Sequence, residues 1–221
     1  MRLTVTDNKI NRLGHDGFTL IELLVVIAIM SLLMTIIISV SMKVISLADE
    51  ATSLAMIKKM SAGVDQYHSN ENGFFPGQQS WARDQLDTQV LTGSELLARA
   101  VFTPKGKPAE FPDSAYADYR KDDLFQYGGV DNMISDDFPT PMPILYYPSH
   151  TGKEGSAASV QYNFTHNRTI ASASSEFEFL TFITDPEMNG LPYCDNSYII
   201  IGAGLDRKYF TEDDLTNINR R

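Results

Sequence analysis

Cysteine is almost missing from this chain: Cys194 stands alone, so no intrachain disulfide can form and the fold must rest on its core, with or without a metal. Proline is absent before Pro76, which leaves the first part of the chain without the residue that most reliably breaks a helix. Charge is missing from a long early stretch, where Glu22 is the only ionisable side chain between Asp16 and Lys43. Basic residues are scarce overall, 18 Lys and Arg against 28 Asp and Glu, which argues against a nucleic-acid partner because such binding needs cations to neutralise phosphates. No HExxH, GxSxG or P-loop spacing occurs. His15, His68, His150 and His166 have no metal-binding spacing and read as surface or capping residues, so the sequence carries no enzyme signature.

What is present is an apolar run from Phe18 to Val40. About 23 such residues span about 34 Å as a helix, enough for a bilayer core. Arg2, Lys9 and Arg12 precede it, which keeps the amino terminus cytoplasmic and sends the acidic remainder outward. Beyond the run, Leu47, Ala51, Leu54, Ile57, Met60, Val64 and Tyr67 recur at steps of three and four, the pattern of one helix face. One helix is therefore expected from about Phe18 to about Asn72, lipid-facing in its first half and packed on a globular part in its second.

The 221 residues leave room for that helix and one domain of common size. Ser94 to Phe102 reads as a capped helix, and Asp113 as the cap of another ending near Leu124. Prolines 104, 108, 112, 139, 141, 143 and 148 rule out long regular elements between them. Strands are expected at Ile144–Tyr147, Val160–Phe164, Glu178–Thr184 and Tyr198–Ile201. Helix first and strands last, without βαβ alternation, is an α+β arrangement in which a small antiparallel sheet buries the helix stripe.

The run Gly17-Phe18-Thr19-Leu20-Ile21-Glu22 behind a basic leader closely resembles the prepilin signal of type IV pilins and of type II secretion pseudopilins. Tyr67, Asn72-Gly73 and Pro76 are similar to the helix exit of that family. The resemblance implies cleavage after Gly17 by a membrane aspartic peptidase and N-methylation of Phe18. It implies a leader at 1–17, a transmembrane helix half at 18–42, an amphipathic half at 43–76 and a periplasmic head at 77–221. It further implies assembly with pilin-like subunits, of the same or related chains, on a platform in the cytoplasmic membrane. A carboxylate at a helix centre in hydrocarbon costs about 2.5–3.5 kcal/mol, so Glu22 needs a partner. In the family that partner is the new amine of a neighbouring subunit; the bland alternative is that Glu22 snorkels into the headgroups.

Near the far end, Gly202-Ala203-Gly204-Leu205-Asp206 to Asp213-Asp214-Leu215 is similar to the acidic calcium loop of the major pseudopilin. That resemblance implies Ca2+ held by Asp206, Asp213 and Asp214, although Gly202 stands where the family has serine and Arg207 where it has glycine. The competing reading makes Thr211 a helix cap with Glu212, Asp213 and Asp214 in the first turn. Three functions remain open: a pseudopilin, a type IV or minor pilin serving adhesion, motility or DNA uptake, and an anchored periplasmic binding module. Two competing fates of the apolar run are a conventional signal peptide cut behind Ser39-Val40-Ser41 and an uncleaved anchor.

Overall fold

A computed structural model describes residues 18–70, 73–78, 92–102, 116–117, 124–150 and 155–218, with the side chains of 39 and 130–132 excepted. The leader at 1–17, including Gly17, lies outside the described residues. The chain divides into two compact units, Met1–Val44 and Ile45–Arg221. The first helix, α1 (Leu20–Asn70), contributes to both. No proline interrupts it, and Thr19 and Glu22 close its first turn by a reciprocal cap. At its far end the Gly73 N–H reaches back to the His68 carbonyl at 3.0 Å with Gly73 at φ 76°, a left-handed stop of the kind glycine favours.

Within the second unit α1 buries Ser53, Met56, Ile57, Met60, Gly63, Val64 and Tyr67, a clean three-four stripe. The expected stripe is thus displaced: Leu47 and Ala51 are exposed, and Met56 takes a place the sequence reading had not given it. Gly63 is required by close approach, since a Cβ there would lie 2.5 Å from Val101 Cγ1 on α2 (Gly93–Phe102). The helix expected at Ser94–Phe102 is α2; Thr92 caps it, accepting from the Glu95 N–H while Glu95 bonds back to Thr92.

The central sheet is antiparallel, in the order β3 (Leu145–Pro148), β4 (Tyr198–Gly202), β5 (Leu215–Thr216). Tyr146 pairs with Ile200 and Leu145 with Ile201. Alternate residues then face opposite layers. Tyr146, Tyr198 and Ile200 meet α1 and α2, whereas Leu145, Tyr147, Ile199 and Ile201 meet Phe164, Phe179, Phe182 and Ile183. Both faces of β3 and β4 are covered, which explains why the strands are apolar without alternation.

Four expectations are overturned. Glu178–Thr184 is not a strand but part of α4 (Glu176–Ile183). Ser175 and Glu178 form a capping box there, and burying Phe179, Phe182 and Ile183 needs helical spacing. Val160–Phe164 is likewise not a strand: α3 (Ala158–Gln161) precedes a single 3-10 turn, Phe164–Asn167, capped by Asn163. Gln161 fixes that corner from inside, its amide donating to Ser156 O and Asp195 Oδ1, each at 2.6 Å. The residues around Thr211 form turns rather than a helix. A hairpin of β1 (Leu124–Tyr127) and β2 (Val130–Ile134) stands where loop was expected, turned by Gly128 and Gly129, both at positive φ. The helix expected from Asp113 falls mostly outside the described residues, and Leu124 itself opens β1.

Buried polar groups hold the layers in register. Asn167, fully buried, donates to Tyr146 O at 2.9 Å and accepts from Ser94 N at 3.3 Å, tying the 3-10 turn to the sheet and to α2. Asn167→Ala strands both partners, and a loss of about 2 kcal/mol is expected in denaturant titrations of the detergent-extracted protein.

Histidines scattered in sequence also meet. His150 Nε2 and His166 Nε2 lie 3.0 Å apart with their rings edge to face. Burial disfavours the charged form of both, taking His166 down to about 3 with help from His150. A base whose folded pKa lies below its unfolded value of about 6.5 contributes stability above that value and loses it as pH falls toward the folded one. The melting temperature is therefore expected to fall between pH 6.5 and pH about 3, and His166→Asn to flatten that fall; equal pH profiles for both proteins would contradict the assignment.

Candidate functional site

The start of α1 is the first candidate. Phe18 is 82% exposed and Thr19 follows it directly before the helix. Glu22 Oε2 accepts from the Thr19 N–H at 2.9 Å and from its hydroxyl at 2.8 Å, while the Glu22 N–H donates to Thr19 Oγ1 at 3.3 Å. This is a capping box, and its signature, Thr-x-x-Glu ahead of an apolar run, was present in the sequence but not used in reading it. The consequence is positional. The cap holds the carboxylate beside Thr19, next in chain to the residue whose amine a cut after Gly17 would free.

From Phe18 to Leu47 every large apolar side chain faces outward, from 42% exposed at Val26 to 82% at Leu20. Three hydroxyls inside this run are bonded within the helix. Ser31, Thr35 and Ser41 donate to the carbonyls of Ile27, Ser31 and Ile37, each one turn back. That arrangement lets polar residues sit in an apolar medium without unmet hydrogen bonds. Among the described residues α1 is the one helix long and apolar enough to cross a membrane.

The acidic loop after β4 is the second candidate. The structure does bring Asp206, Asp213 and Asp214 together: the Thr211 hydroxyl lies 2.8 Å from Asp213 Oδ1, 3.1 Å from Asp214 Oδ1 and 3.5 Å from Asp206 Oδ1. Main-chain N–H groups are already bonded to them, Asp206 to Asp213 Oδ2, Lys208 to Asp206 Oδ1 and Phe210 to Asp214 Oδ2. Burial raises the Asp214 carboxyl to about 6 against these bonds. Burial also acts on Asp213, but there the N–H and hydroxyl donors win and its pKa lies below the usual value. Among the described residues no three His, Cys, Asp or Glu side chains form a group that would hold a metal ion.

A residue outside the expected site dominates this loop. Arg207 Nη1 donates to Ala203 O at 3.0 Å and to Gly204 O at 3.1 Å. Its Nη2 donates to Thr140 O at 2.6 Å and to Asp136 Oδ1 at 3.1 Å, and lies 2.8 Å from Asp136 Oδ2. The sequence marked Arg207 only as a departure at a glycine position; Asp136 lies 71 residues away, and no local pattern joins the two.

Cys194 is half-buried, and burial pushes its thiol pKa up, which suits a packed residue rather than a reactive one. Its carbonyl accepts from the Tyr162 hydroxyl.

Compared with known proteins, the chain matches no curated protein and no solved structure. Residues 13–38 match the family model of the prokaryotic N-terminal methylation motif, and that stretch contains Gly17, Phe18, Glu22 and the front of the exposed apolar helix.

Proposed function

We propose that this chain is a pilin-like filament subunit, and within that class a pseudopilin of a type II secretion system. The observation that carries the reading is a methylation motif that runs into a helix whose large apolar side chains from Phe18 to Leu47 are exposed and whose acid in that stretch, Glu22, is held at the first turn. Before assembly the run crosses the cytoplasmic membrane once, with the amino terminus in the cytoplasm and the acidic head in the periplasm. The membrane prepilin peptidase cuts after Gly17 and methylates Phe18. Extracted onto its platform, the same apolar surface packs against the helices of neighbouring subunits of this or related chains. Glu22 then pairs with a neighbour's Phe18 amine, which neutralises both charges and sets the axial register. The protein works by assembly, as a structural element, and not by catalysis.

The lone cysteine and the acidic loop favour a pseudopilin over a type IV or minor pilin, many of which close a disulfide near their carboxyl end. Calcium at Asp206, Asp213 and Asp214 is not part of this proposal, because the surrounding carbonyls and carboxylates are engaged by Arg207 and by main-chain donors.

Mass spectrometry of the membrane-extracted protein is expected to give an amino terminus at N-methyl-Phe18; one at Met1 or Met42 would overturn processing. Two substitutions separate the roles of Glu22. Gln can still cap the helix but carries no charge. Glu22→Gln and Glu22→Ala are therefore both expected to abolish inter-helix crosslinks and filament formation, with helix content kept in the Gln variant. Normal assembly of Glu22→Gln would reduce Glu22 to a cap and remove the pairing role.

A further inference from the structure

Arg207 and Phe210 are the two residues of the 203–214 loop that hold positive φ without being glycine, at 58° and 69°. Left-handed backbone at a bulky residue is disfavoured by about 1–2 kcal/mol, so each position needs a compensating contact. Phe210 has one in the aromatic group of Phe164, Phe179 and Phe182, with ring centroids 5.3–6.1 Å away. Arg207 has another of a different kind. Its guanidinium stands 4.6 Å over the Phe138 ring, spans two carbonyls of its own loop and meets the segment after β2 at Asp136 and Thr140.

Asp136 cannot be left alone. It is 3% exposed, and burial pushes its pKa up while the Met142 N–H and Arg207 oppose that rise. A buried carboxylate without a counter-charge is strongly destabilising, and Asp136 Oδ2 has its charge contact with Nη2. A calcium ion would need six to eight oxygens. Here carbonyl oxygens of Ala203 and Gly204 accept from a cation that is part of the chain, and one oxygen of each loop aspartate accepts a main-chain N–H.

We propose that Arg207 is the resident cation of this loop: its guanidinium does from within the chain the cross-linking that the family resemblance assigns to calcium, and the head folds without a metal. The partner of the charge is Asp136, so the lock joins the segment after β2 to the segment after β4. The residues expected to bind calcium, Asp206, Asp213 and Asp214, act instead as acceptors that shape the turn.

Thermal unfolding of the full-length protein in detergent tests this, with excess calcium chloride and with a chelator. Wild type is expected to melt at one temperature in both, and isothermal titration with calcium to give no saturable heat. Arg207→Gly removes the guanidinium, while its relief of left-handed strain and its freer unfolded chain act in opposite senses; a midpoint lower by about 5 °C is expected. Adding Asp136→Asn to that variant is expected to recover part of the loss, because the orphaned charge is gone, whereas independent sites would give additive losses. Should Arg207→Gly fail to fold, Arg207→Lys, which keeps the charge but not the fork, is expected to fold and to melt below wild type, at one midpoint with calcium and with chelator; a lysine variant as stable as wild type would overturn the fork's role. A midpoint of the wild type raised by calcium, saturable calcium binding, or a glycine variant as stable as wild type would each overturn the proposal. None of these readouts depends on filament assembly, so failure here is distinct from failure of the pilin-like reading.

Discussion

Burial of β4 on both faces is the constraint from which the head is built. Tyr198, Ile199, Ile200 and Ile201 are each almost wholly covered, and residues of a strand point alternately to opposite sides, so one layer of helices is not enough. The second half of α1 with α2 supplies one cover, and α4 with the Phe164 turn supplies the other. Tyr198 also bonds by its hydroxyl to Ser61 O at 3.1 Å and Asp65 Oδ1 at 2.9 Å, fixing where the strand lies against the helix. The order of elements along the chain follows from this need: helix, strand, helical corner, strand.

The first half of α1 has the opposite character. Among the described residues its large apolar side chains are exposed, and the hydroxyls of Ser31, Thr35 and Ser41 are turned onto carbonyls of the same helix. Such a surface is stable in lipid and equally stable against other helices of the same kind, because neither medium asks for hydrogen bonds. On the proposed reading one sequence serves both a membrane-stored subunit and a filament core. In the proposed assembly Glu22 tells the two apart, since a carboxylate gains more from a neighbouring amine than from headgroups.

The loop after β4 shows how strain and docking are balanced. Two non-glycine residues take left-handed backbone, and their side chains go in different directions, Phe210 to the aromatic layer and Arg207 to the carboxylate of Asp136. Each contact offsets a local cost with a long-range gain. The loop is thereby joined to both the helical layer and the segment after β2.

The apolar helix, its three-four stripe, β3, β4 and the motif at Gly17–Glu22 were legible in the sequence, because a long apolar run, a buried helix face, a buried strand and a short motif each leave a local residue pattern. Even there the pattern was blurred: Leu47 and Ala51 fit the stripe in spacing but are exposed. The alternation Glu176-Phe177-Glu178-Phe179 suited a strand as well as a helix; a capping box and the demand for Phe179, Phe182 and Ile183 on one face decided for α4. The acidic loop was visible as a cluster of carboxylates, but what neutralises and ties it was not. A sequence shows that Arg207 and Asp136 exist; only folding brings a charge across 71 residues to an oxygen 2.8 Å away, because contact at that distance is set by where the segments after β2 and after β4 come to lie and not by neighbours in the chain.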